Sequence, residues 1–263
     1  MNLDEIRNWI LILEAVACIS IVVRAFLCLR NHRYYTPAAF FTYAVVSFLM
    51  NDLYWIAFNL LNHGVRMPFS VADFSENGTM LLLAAMLIEA FPGRDRRNIP
   101  LFAGAMLFSL CNIVLWICWN GEWLKDIIGG FCYAVFCWQA VRSLQESRAF
   151  SRGIWIAWGI GTALLMALLG IEQLERELYS RWFEWLYYSL MTAGTLFFAV
   201  RWFREIRNSE RGDAALSLAV SGIFWAFTCA YMCAEPAWFF AEIAILIMFV
   251  LTLITMERKV EEK

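Results

Sequence analysis

Apolar residues run through this chain in long uninterrupted blocks, not in the alternating or one-sided patterns of strands and surface helices. Nine blocks stand out, at about 9–29, 37–61, 74–91, 100–119, 123–141, 154–171, 182–203, 214–234 and 236–256. Each approaches the roughly 20 residues that a helix rising 1.5 Å per residue needs to cross hydrocarbon about 30 Å thick. The third and fifth blocks are the least clean. Asn77-Gly78 leaves the third a short pure core, and the fifth contains Asp126 and Gly129-Gly130. Only Glu235-Pro236 divides the last two, and proline suits the first turn of a new helix. The pattern predicts an all-α fold, a polytopic transmembrane helical bundle of about nine spans, with seven or eight as fallbacks. Residues 1–263 form a single integral membrane domain in this reading, and no soluble domain is expected.

Composition agrees. Of the 263 residues 62% are hydrophobic and 17% charged, whereas soluble domains carry about 45–50% and about 25%. A water-soluble fold of this length has no place to hide so much apolar surface. Lipid has. The start, Met1-Asn2-Leu3-Asp4-Glu5, is acidic where a secretory signal is basic, so the first helix is expected to be retained. The eight cysteines fall inside apolar blocks without a CxxC pair, as small buried hydrophobes do.

Charge placement sets the expected orientation. With the N-terminus outside, the inner segments hold fifteen basic residues, from Arg30 and Arg33 to Arg258, Lys259 and Lys263. The outer segments hold five: Arg7, Arg66, Lys125, Arg176 and Arg181. Basic residues in short loops stay on the cytoplasmic side, so the N-terminus is expected outside and the C-terminus inside a plasma membrane. The net charge of −2 and the absence of a basic run give no reason to expect nucleic acid.

Ionisable groups inside a bilayer cost about 2.5 kcal/mol or more and are functional candidates by default. Glu14, Arg24, Asp52, Glu89, Glu184 and Glu242 lie within the blocks. Arg24 can snorkel to the inner surface, and Glu89 precedes the Phe91-Pro92-Gly93 boundary. Glu14, Asp52, Glu184 and Glu242 share the outer half of the membrane. Tyr54, Trp55, Asn112 and Trp116 lie at similar depth. These eight residues fit an outward-facing pocket for a cationic or amphipathic ligand, held by charge pairing and cation–π contact. They also fit a plainer arrangement, in which each acid bonds a neighbouring helix and the rings form the ordinary aromatic belt. The small residues Ala215, Ala219, Gly222, Ala226, Ala230 and Ala234 mark one face of the eighth block as a close-packing seam.

Several chemistries lack their residues. Lysine occurs only at 125, 259 and 263, so no buried lysine can form a Schiff base. His32 and His63 fall in loops on opposite sides, which leaves no haem or zinc ligand set. No phosphate-binding GxxxxGK loop and no GxSxG elbow occur. No cofactor, metal site or catalytic residue is expected.

One segment goes further. Ser47-Phe-Leu-Met-Asn51-Asp52-Leu-Tyr54-Trp55, then Met67-Pro68-Phe69-Ser70-Val-Ala-Asp73, then Met80-Leu-Leu-Leu-Ala-Ala-Met-Leu87, resembles the multi-pass sensor regions preceding some bacterial diguanylate cyclases and histidine kinases. The likeness covers about residues 45–90. It implies a sensor-like membrane module, and since an output domain follows in those proteins but not before Lys263 here, signalling through a partner. The expected function is therefore a receptor-like or regulatory module, with a small-molecule transporter or a structural subunit as alternatives. Its expected partners are the bilayer, a protein reading the basic inner loops, and a second copy of the chain. A reporter fused after Lys263 should remain inaccessible to a membrane-impermeant probe until the cells are opened; labelling of intact cells would reverse the orientation.

Overall fold

The computed structural model describes residues 3–31, 36–61, 70–93, 98–120, 123–174, 181–207, 211–232 and 237–261. Within them the chain forms nine helices: α1 (Leu3–Asn31), α2 (Thr36–Leu61), α3 (Val71–Ala90), α4 (Ile99–Asn120), α5 (Trp123–Glu146), α6 (Arg152–Leu174), α7 (Arg181–Glu205), α8 (Gly212–Met232) and α9 (Ala237–Glu261). Seven of them, α1 to α5, α8 and α9, contain apolar stretches long enough to cross a membrane. In α6 the described apolar stretch is shorter, Arg152–Leu168. The protein is a multi-pass helical membrane protein. His32, Arg33, His63, Arg66, Arg94, Arg96, Arg97, Arg176, Glu235 and Pro236 lie outside the described residues.

Local sequence explains where helices begin. Ser70 and Asp73 form a reciprocal capping box: Asp73 N donates to Ser70 Oγ at 3.4 Å and Ser70 N donates to Asp73 Oδ2 at 2.9 Å. Two amide donors that the first turn leaves orphaned are thereby satisfied, so α3 starts three residues before its apolar block. Asn98 does the same for α4, its Oδ1 accepting from Leu101 N at 3.4 Å.

The helices alternate in direction, and the two ends of the bundle differ chemically. At one end arginines bind carbonyls that helix C-termini leave without partners. Arg142 donates to Phe91 O, Arg258 to Ile206 O and Arg201 to Ala149 O, the last at 2.7 Å. Cations there also complement the helix dipole. Arg24 of α1 grips Glu257 of α9 at 2.7 and 3.1 Å, and Lys259 pairs with Asp213. At the opposite end lie Asn8 and Asn59, bonded at 3.0 Å, with Asp73, Lys125, Asp126 and Tyr231.

α8 is the central helix. Of its apolar stretch 89% is enclosed by protein, against 22% for α4, whose Leu107 and Leu110 face outward. Apolar side chains outside and small residues inside are what a bilayer permits, because association in lipid depends on close packing. At Gly222 an added Cβ would meet Met248 Sδ of α9 at 2.6 Å, so the small-residue face of α8 is indeed a seam. Aromatic rings fill the wider gaps: Phe41 and Phe48 of α2 meet Phe249 of α9 at 5.9 and 5.4 Å. Gly194 of α7 is the tightest contact with a rigid neighbour, its missing Cβ only 2.3 Å from Trp225 Nε1. That indole donates to Met191 O at 3.2 Å and has nowhere to retreat without losing the bond. Gly194→Ala should destabilise the protein by about 1–3 kcal/mol through overpacking, read as a lowered unfolding temperature in detergent. Gly159→Ala, where no atom lies within 4 Å, should not.

Candidate functional site

Three of the four acids expected in the outer half come together from three helices. Glu14 of α1, Asp52 of α2 and Glu242 of α9 are 2%, 0% and 3% exposed. Counting from the ends of their helices at 1.5 Å per residue, they lie roughly 8–16 Å below the end opposite the arginines. Glu14 and Glu242 stand close enough to interact directly, and two carboxyl groups share such a contact only when a proton or another positive charge lies between them. Asp52 stands close enough to interact electrostatically with both. Among the described residues no backbone or hydroxyl group donates to Glu14 Oε1, Glu14 Oε2, Asp52 Oδ1 or Glu242 Oε2. The thiol of Cys18, one turn along α1, approaches Asp52 Oδ2 at 4.0 Å. Neighbouring Asn51 is also buried, with Oδ1 unbonded.

Such an arrangement is expensive in a membrane interior. Each buried polar atom left without a partner costs about 1–3 kcal/mol, and three carboxyls in one helix joint repel one another whenever more than one is ionised. The joint is nevertheless closed at both levels, because α1 and α9 are tied a second time by Arg24 and Glu257. What the cluster lacks among the described residues is positive charge. It can be completed by protons or by a small cation.

The fourth acid, Glu184, is in the first turn of α7; its side chain, with those of Trp185 and Tyr187, lies outside the described residues. The backbone of α7 packs chiefly on α8. Tyr54 and Trp55 group with Phe58 of the same helix at centroid distances of 6.0 and 5.8 Å. Asn112 turns its amide back to Phe108 O at 2.8 Å. Trp116 packs edge-on against Tyr133 at 5.0 Å and against Tyr231 at 4.9 Å. Asn112 and Trp116 thus belong to α4 and a second polar region, not to the acid cluster. Glu89, at the arginine end of α3, is exposed.

The second region is a cavity of about 60 Å³ lined by Asp73, Glu76, Asn77, Trp116, Lys125, Asp126, Gly129 and Tyr231. Lys125 Nζ lies 3.0 Å from Asp73 Oδ1, so the residue that caps α3 also pins α5 to it. Tyr231 donates to Glu76 Oε2 at 2.8 Å. Glu76 is the link between regions, since it also interacts electrostatically with Asp52 and Glu242. Sequence reasoning passed over Glu76, Asp73 and Tyr231. The available signal was the polar start of the third and fifth blocks, where Glu76-Asn77 and Lys125-Asp126 fall at matching depth.

Comparison with known proteins adds no relative: no family model, no curated protein and no solved structure matches this chain.

Proposed function

We propose that this protein is a sensor-like regulatory module of the membrane that responds to a small cation, the proton included, arriving from the outer side. The convergence of Glu14, Asp52 and Glu242 on one buried joint carries this reading. Four carboxyl oxygens there have no donor from backbone or hydroxyl among the described residues, and the neighbours near them include Cys18 on α1 and Glu76 on α3. A charge-balancing cation or proton would hold α1 against α9, and its loss would leave like charges pressing the two helices apart.

α1 is suited to move. Among the described residues it packs chiefly on α2 and α9, and its outward face, including Leu13 and Phe26, meets lipid. A shift of α1 would be felt at the far end through Arg24 and Glu257. Given the expected orientation, that is the cytoplasmic end, where Arg204 and Arg207 are available to a partner. The resemblance of residues 45–90 to sensor regions points the same way. A ligand can shift such an equilibrium only by its differential affinity for the two arrangements, and a site that lacks positive charge supplies that difference.

The test is the separation of α1 and α9 in lipid nanodiscs. Spin labels attached through unnatural amino acids at the exposed positions Ile19 and Val250 should move apart as the pH is raised. Adding the cation that the site accepts should bring them back. In a Glu14→Gln, Glu242→Gln variant, which cannot develop the repelling charges, the distance should stay fixed. Equal movement in that variant would overturn the proposal. Cation-driven uptake into proteoliposomes would instead make the protein a transporter.

A further inference from the structure

The cavity between α3, α4, α5 and α8 carries charge of both signs, and one of its buried donors is waiting for an acceptor. Trp116 is 5% exposed and lines the cavity, yet its Nε1–H has no acceptor among the described residues. An indole N–H normally finds a partner when buried, and leaving it bare costs about 1–3 kcal/mol. Lys125 supplies a full positive charge on the same wall, and Asp73, Glu76 and Asp126 supply negative charge. The rings of Trp116 and Tyr231, 4.9 Å apart and tilted by 42°, add faces that attract a cation. Gly129 keeps the floor open, because a Cβ there would lie 3.3 Å from Asn77 Oδ1.

We infer that this cavity binds a small primary-ammonium compound bearing an oxygen acceptor, of the size of ethanolamine or glycine. Its ammonium meets the carboxylates of Glu76 and Asp126 and the ring faces; its oxygen accepts from Trp116 Nε1–H. Size follows from the volume: about 60 Å³ accommodates about four water-sized groups, enough for the ammonium and the oxygen of one small molecule. A bare inorganic cation would satisfy the acids but not the indole. The site is separate from the Glu14–Asp52–Glu242 joint and does not depend on that joint being a sensor. Glu76 connects them, because it accepts from Tyr231 on one side and feels Asp52 and Glu242 on the other.

Calorimetric titration of the purified full chain in nanodiscs, at constant ionic strength, decides the matter. The probes are ethanolamine, glycine, methylamine and sodium acetate. Saturable one-to-one binding is expected for ethanolamine or glycine, about tenfold tighter than for methylamine, which has no acceptor for the indole. Trp116→Phe keeps an aromatic face and removes the donor; it should weaken the preferred probe about tenfold and methylamine by clearly less. Glu76→Gln should weaken all ammonium probes, whereas Gly159→Ala, at a position with no atom within 4 Å, should leave binding intact. Absence of saturable binding by both ethanolamine and glycine would overturn the inference. So would methylamine binding as tightly as they do, or indifference of the preferred probe to Trp116→Phe.

Discussion

The contact between Glu14 and Glu242 ties the first helix of the chain to the last, and much of the architecture answers to it. Two carboxyl groups can face each other in a membrane interior only if a proton or another positive charge lies between them. Asp52 adds a third acid to the same joint, and no basic side chain is supplied against it among the described residues. The fold around them is tight by the means open to a membrane protein: a small-residue seam on α8, aromatic wedges between α2, α8 and α9, and paired charges at the ends. A cluster so short of donors within such packing is a poor stability device. Helix packing alone would be served as well by apolar residues of similar volume.

The two ends of the bundle divide the labour. Where the odd-numbered helices finish, arginines satisfy carbonyls that helix termini leave open, so positive charge there is structural. Arg142, Arg201 and Arg258 each close the end of a neighbouring element. The opposite end is built from Asp73, Lys125, Asp126 and Tyr231 around a small polar cavity. A cation approaching from that side meets carboxylates and aromatic rings first and the buried acids next, with Glu76 between the two.

The helices were legible because each is a block of about 20 apolar residues and lipid allows little else. Their starts were less so. α3 begins at Val71 because Ser70 and Asp73 form a local cap, a signal that hydropathy does not carry. The acids Glu14, Asp52 and Glu242 were legible as rare intramembrane charges, and their shared depth followed from the alternation of helices. Their meeting was not, since nothing along the chain says that α1 lies between α2 and α9. Trp116 and Asn112 share that depth but sit on α4, on another face of the bundle. Asn77-Gly78 and Asp126 were read as flaws in two weak spans, and Glu76 was passed over. In the structure those spans lie side by side, and the apparent flaws are one polar site.

The central claim is that the buried triad of Glu14, Asp52 and Glu242 is completed by protons or a small cation, protons filling the role when no other cation is supplied. Infrared difference spectroscopy on the protein in nanodiscs, comparing wild type with Glu242→Gln, tests it directly. The account predicts a carboxylic-acid carbonyl band that shifts on transfer to heavy water and disappears in the variant. A spectrum in which the wild type shows only ionised carboxylates at neutral pH, with no acid band removed by the substitution, would contradict it.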